Sequence, residues 1–140
     1  MATRIFIDGA AGTTGIELRE RLAGRGEFEL MVLDDAERKS EAARRDALNA
    51  ADVAILCLPD EAARDAVALI DPASRTRVID ASSAHRVADG WTYGFPEIVG
   101  REQVANARFV SNPGCYPSGF IALVAPLVRA GLIPADWPFT

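Results

Sequence analysis

Short runs of β-branched and apolar residues alternate along this chain with stretches of helical spacing, and that alternation is its strongest constraint. Strands that leave through a helix and return build a parallel sheet with right-handed crossovers. The strand-like runs are "TRIFID" (3–8), "FELMVLD" (28–34), "DVAILCL" (52–58), "TRVIDAS" (76–82) and "RFVSN" (108–112). "DVAILCL" is apolar on both faces, which suits a central strand covered on each side. Between the runs lie "TGIELRERLAG" (14–24), with Gly15, Leu18 and Leu22 on one face, and the polar, weakly amphipathic "AERKSEAARRDALNAA" (36–51). "DEAARDAVALI" (60–70) follows, with Ala63, Val67 and Ile70 inward and Asp60 as an N-cap. The last helix, "PSGFIALVAPLVRAGL" (117–132), is apolar nearly all round, so something should cover it. The expected class is α/β: a Rossmann-like parallel sheet with helices on both faces.

The bounds agree with one globular unit. The 140 residues suffice for a domain with its own core. A net charge of -5 argues against a nucleic-acid or anionic-membrane surface. No apolar run has membrane-spanning length, and the N-terminus enters a strand without the layout of a signal peptide. Two cysteines, Cys57 and Cys115, make no disulfide framework, and a reducing cytoplasmic location follows most simply. No metal site is expected.

The first strand-to-helix turn reads "GAAGTTG", with glycines at 9, 12 and 15. Gly9 permits the sharp turn, Gly12 lets backbone N–H groups approach a pyrophosphate at the helix N-terminus, and Gly15 allows close packing of helix on strand. The spacing is GxxGxxG rather than GxGxxG, but it follows a strand and opens a helix, the context a dinucleotide site requires. A ribose-binding acid belongs near the end of the second strand, where Asp34 and Asp35 stand. They favour NAD. Arg38 and Lys39 follow and could meet the 2'-phosphate of NADP, or form an ordinary solvated helix start.

"SNPGCYPSG" (111–119) sets a cysteine between two turn signals at the mouth of the last helix. Asn112-Pro113-Gly114 turns the chain, and Pro117 suits a first helical turn. Cys115 therefore belongs at a helix N-terminus, where the positive end of the dipole favours a thiolate. The free N–H groups there can also hold an oxyanion. Cys57, inside "AILCLP", is expected to be buried in a central strand and inert.

A nicotinamide site and a nucleophilic cysteine on one sheet suggest a thioester-forming dehydrogenase. The chain closely resembles the short-form N-acetyl-γ-glutamyl-phosphate reductase family of arginine biosynthesis. "IFIDGAAGTTG" (5–15), "ADVAILCLPD" (51–60), "VIDASSAHRV" (78–87), "YGFPE" (93–97) and "NPGCYPSG" (112–119) carry the resemblance. It implies an NAD(P)-binding domain of the aspartate-semialdehyde dehydrogenase/glyceraldehyde-phosphate dehydrogenase type. It also implies NADPH-dependent reduction of a small acyl phosphate to N-acetyl-L-glutamate 5-semialdehyde, with Cys115 as nucleophile. Gly9, Gly12, Thr13, Thr14 and Gly15 would hold the pyrophosphate and Arg38 the 2'-phosphate of NADP(H). Pro59 and Ser82 would line the cofactor cleft, and Asn112, Ser118 and Arg86 would serve the substrate, although an ordinary loop arginine is the alternative for Arg86. His85 lies in a motif that does not supply the family's general base, which belongs to a larger second domain. The resemblance divides the chain into a cofactor domain (1–114) and a nucleophile segment (115–140) leading toward a substrate domain. It implies that the chain is a truncated form, poorly active alone, and that the full-length protein is a homo-oligomer. A related cysteine dehydrogenase of the aspartate-semialdehyde type, and a non-catalytic dinucleotide-binding module, remain the alternatives.

Overall fold

The computed structural model describes residues 1–138, so the final two positions of the 115–140 segment lie outside the described residues. Its elements run β1 (Thr3–Asp8), α1 (Thr13–Leu22), β2 (Phe28–Met31), a 3-10 turn (Glu37–Lys39), α2 (Glu41–Ala50), β3 (Val53–Leu56) and α3 (Asp60–Ala68). They continue with β4 (Arg77–Asp80), β5 (Thr92–Tyr93), α4 (Pro96–Val99), α5 (Arg101–Asn106), β6 (Phe109–Ser111) and α6 (Cys115–Arg129). The strands form one sheet in the order β2-β1-β3-β4-β6-β5, every neighbouring pair parallel. The chain moves from β1 outward to β2, then crosses back to β3 on the other side of β1. That reversal opens a crevice beyond the carboxyl ends of β1 and β3, where ligands of open α/β sheets bind.

The core lies between one sheet face and helices α2 and α3. Phe6, Ala54, Leu56 and Val78 meet Leu48, Ala63, Ala66 and Ile70 there, all buried. At about 25 cal/mol per Å² of apolar surface removed from water, this cluster is the main stabilising term. The opposite face is covered unevenly. Ile7, Ile55, Ile79 and Val110 share it by register. Ile7 is buried at 4% exposure, whereas Ile79 is 36% exposed. α1 packs mainly on β1 and β2, and Val53 and Ile55 stay half-buried, so β3 is covered on one face and half-covered on the other, not enclosed on both as its composition suggests.

Three other expectations are corrected. The 36–51 segment is not one helix, because Ser40 breaks it and caps α2, its Oγ accepting from the Ala43 N–H at 3.3 Å. The N-cap of α3 is Pro59 rather than Asp60, whose carboxylate is engaged elsewhere. Cys57 is half-buried and lies one residue beyond β3, its N–H donating to the Asp8 carbonyl at 2.8 Å.

Candidate active site

The glycine turn divides its work. Gly9 has φ +87°, and a Cβ there would stand 2.2 Å from the Cys57 carbonyl oxygen; one on Gly15 would stand 2.3 Å from the Gly9 oxygen. These two glycines are demanded by close backbone approach. Gly12, the N-cap of α1, would meet only the Gly9 oxygen at 3.5 Å, which is ordinary contact. Its missing side chain therefore leaves open space over the helix N-terminus. No side chain caps that end, so the first-turn N–H groups, with exposed Thr13 and Thr14, face an approaching ligand. The turn fits a pyrophosphate on these grounds.

Beside it lies a cavity of about 320 Å³ between the ends of β1 and β2, lined by Ala10, Ala11 and Leu58 together with charged side chains. Asp8, at the last position of β1, is buried and accepts two hydrogen bonds on Oδ2 from Arg44, at 3.1 Å from Nε and 2.8 Å from Nη2. Arg38 pairs with Asp35 at 3.3 Å. Asp34 is not among the residues that line this cavity. Its Oδ1 accepts from the Ala36 and Glu37 N–H groups, each at 2.8 Å, and closes the turn after β2. Lys39 ends the 3-10 turn at the surface.

Further along the crevice, Asp80 at the end of β4 is fully buried. Its Oδ1 accepts from the Ser82 N–H at 2.9 Å, and its Oδ2 accepts from Ser82 Oγ at 2.7 Å. His85 Nδ1 lies 2.6 Å from the same Oδ2, which places the proton on Nδ1 facing the carboxylate. The ring stacks on Trp91 at 4.1 Å. Asp60 pins the same strap from outside, accepting from Ser83 N–H at 2.9 Å and Oγ at 2.6 Å. Those Ser83 hydrogen bonds hold the Asp60 carboxyl below its ordinary value. Ser82 and His85 are thus committed to Asp80, and Pro59 stands exposed at the neighbouring helix start.

The strap delivers Arg86 to the turn that precedes Cys115. A Cβ on Gly114 would lie 2.7 Å from Arg86 Nη1, so the guanidinium rests against the residue preceding Cys115. Its Nε is buried and has no hydrogen-bond partner among the described residues. Cys115 is exposed and is the first residue of the 15-residue α6, with Gly114 as N-cap. Ser118 Oγ donates to the Gly114 carbonyl at 2.7 Å, and Asn112 Nδ2 donates to the Pro113 carbonyl at 3.2 Å. Both flank Cys115 while bracing its turn. Tyr116, Gly119 and Phe120 line an apolar hollow with Cys115. No residue of α6 is buried, and Tyr116 and Leu123 are 88% and 74% exposed.

The two thiols should therefore differ in reactivity. Burial first, then the Asp8 and Asp80 carboxylates, push the Cys57 thiol up. Iodoacetamide at neutral pH is expected to label Cys115 much faster than Cys57, with Cys57 labelling rising only toward alkaline pH. Peptide mapping reads the ratio; equal rates at neutral pH would contradict the assignment.

Asp8, Arg44, Asp80 and Trp91 were not singled out in the sequence. A carboxylate at the final position of an apolar strand, seen at both Asp8 and Asp80, was the available signal.

A cofactor crevice at the sheet's switch point, with an exposed cysteine opening the last helix, defines a class. The chain belongs to the semialdehyde dehydrogenase, NAD binding domain family, whose pattern matches residues 4–107. Within that class it is 54% identical over 140 residues to the N-acetyl-gamma-glutamyl-phosphate reductase of Brucella ovis, and equally to that of Brucella canis. Each match covers 99% of this chain and 45% of the relative, so the chain spans about half the length of these proteins. Its fold is similar to aspartate semialdehyde dehydrogenase from Francisella tularensis, with TM-score 0.67 and 16% identity over 94% of this chain and 42% of that one. The corresponding enzyme with NADP from Candida albicans matches with TM-score 0.60 and 17% identity, over 91% of this chain and 47% of that one. No helix among the described residues is long and apolar enough to cross a membrane.

Proposed function

We propose that these residues form the cofactor-and-nucleophile part of an NADPH-dependent reductase. Its substrate is N-acetyl-γ-glutamyl phosphate, and its products are N-acetyl-L-glutamate 5-semialdehyde and phosphate, a step of arginine biosynthesis. The observation that carries this reading is Cys115 at the first position of α6 with the Arg86 guanidinium against Gly114. The likeness to the reductases supplies the substrate.

The Cys115 thiolate attacks the acyl carbon. A C–S bond forms, the carbon–oxygen bond to phosphate breaks, and phosphate leaves with the electron pair. Arg86 neutralises that phosphate, and the α6 N–H groups hold the carbonyl oxygen as it gains charge. NADPH, when bound, supplies the hydride that reduces the thioester. Cys115 then leaves as thiolate as the C–S bond breaks and the aldehyde forms. Gly12 leaves the space, its own N–H donating to the Gly9 carbonyl at 3.0 Å, and Thr13 and Thr14 present the N–H groups that hold the pyrophosphate, while Pro59 and Ser82 shape the nicotinamide end. His85, the single histidine of the chain, gives its Nδ1 to Asp80 and lies in a motif that does not supply the family's general base. The general acid/base is supplied from beyond these residues, in a substrate domain following the nucleophile segment 115–140. On the family resemblance, the full-length protein is a cytoplasmic homo-oligomer.

The test is Cys115→Ser in the full-length protein. Reductase turnover should fall by at least three orders of magnitude, because the thioester cannot form, while NADPH binding stays unchanged. Turnover within ten-fold of wild type would refute the mechanism. NADPH should also bind more tightly than NADH, since Arg38 lines the cavity beside the glycine turn and Asp34 does not. Calorimetric titration of both cofactors decides it, and tighter NADH binding would assign Asp35 to the ribose instead.

A further inference from the structure

The cavity beside the glycine turn holds three arginines and two carboxylates, and their pairing is unequal. Arg44 and Asp8 form a shielded pair, their side chains 19% and 7% exposed. Breaking it would strand a buried charge, so it stays intact and offers a ligand nothing. Arg38 and Asp35 pair at 3.3 Å with side chains 42% and 93% exposed. Such a contact contributes little and opens at little cost. Arg19, from α1, lines the same cavity, is exposed, and has no ion-pair or side-chain hydrogen-bond partner among the described residues. The cavity thus carries one uncompensated positive charge, from α1, and one loosely held one, from the 3-10 turn after β2.

We propose that Arg19 and Arg38 together grip the 2'-phosphate of NADPH, and that Asp35 is the counter-ion this phosphate displaces. The inference rests on reading the cavity as the adenosine end of an NADPH site. A phosphate presents more charge and more acceptor oxygens than one carboxylate, so it takes the planar guanidinium fork of Arg38 from Asp35. Asp35, already almost wholly in solvent, swings away without desolvation. A ribose without the phosphate leaves Asp35 on Arg38 and Arg19 unpaired, so discrimination arises from both arginines at once. Asp35 acts here as a specificity-determining residue, not as a ribose ligand.

Calorimetric titration of the full chain with 2',5'-ADP and with 5'-AMP tests this. Arg19→Met should weaken 2',5'-ADP about ten-fold or more, the loss of a charge-assisted contact, and leave 5'-AMP unchanged. Asp35→Asn should tighten 2',5'-ADP about two- to five-fold, as expected for an exposed pair removed, again without effect on 5'-AMP. If Arg19→Met leaves 2',5'-ADP unchanged, or weakens both probes equally, the grip by Arg19 is wrong. Unchanged or weaker 2',5'-ADP binding in Asp35→Asn overturns the displacement. Failure of wild type to bind either nucleotide overturns the NADPH reading itself, whereas 5'-AMP binding with no preference for 2',5'-ADP overturns only the present inference.

Discussion

Gly9→Ala is expected to destabilise the protein by about 2–5 kcal/mol, combining a left-handed backbone forced on an L-residue with overpacking against fixed atoms. The clash is with the Cys57 carbonyl oxygen, 2.2 Å from the new Cβ, and backbone at the end of β3 cannot retreat as a flexible side chain would. Gly15→Ala meets the same obstacle at the Gly9 oxygen, 2.3 Å away, and should fall in the same range. Gly12 behaves differently, because its Cβ meets only ordinary contact. Gly12→Ala should fold normally, and Gly12→Leu should fold yet lose dinucleotide binding, since the side chain fills the space kept for the pyrophosphate. Urea unfolding midpoints separate the first pair from the second. A Gly9→Ala midpoint equal to wild type would mean that the β1–α1 turn is not built as described.

The second large effect is expected at Asp80. Asp80→Ala removes the acceptor for Ser82 N–H, Ser82 Oγ and His85 Nδ1 in a fully buried position. Leaving such donors unpaired costs about 3–5 kcal/mol in total. The loss has a functional arm too, because these bonds and those of Asp60 to Ser83 position the strap that carries Arg86. Amide hydrogen exchange at residues 82–86 should accelerate beyond the change in global stability. Asp80→Asn, keeping the shape and one acceptor, should fall between wild type and alanine. If Asp80→Ala matched wild type in both urea midpoint and exchange, the strap would be held by the His85–Trp91 stack rather than by the carboxylate.

Much of this architecture was legible in the chain itself, and the reason is local. β1 was read at its observed limits, Thr3–Asp8, because a β-branched run ending at glycine has few other solutions. The Cys115 position followed from turn residues on either side of it, which act over three or four residues. Gly9, Gly12 and Gly15 fell on a strand-turn-helix whose handedness and packing admit one arrangement. The sequence shows no element within 92–106, since a two-residue strand and helices of four and six residues are too short to show a period. The roles of the aspartates were equally hidden. Asp34 caps a turn, Asp35 leans on Arg38, Asp60 reaches 23 residues forward to Ser83, and Asp8 meets Arg44 36 residues away. A carboxylate looks the same in every one of these settings. Its partner is chosen by which strand ends and helix faces the sheet order brings together, and that order, set by burial of the shared apolar face, belongs to the whole chain rather than to any window of it.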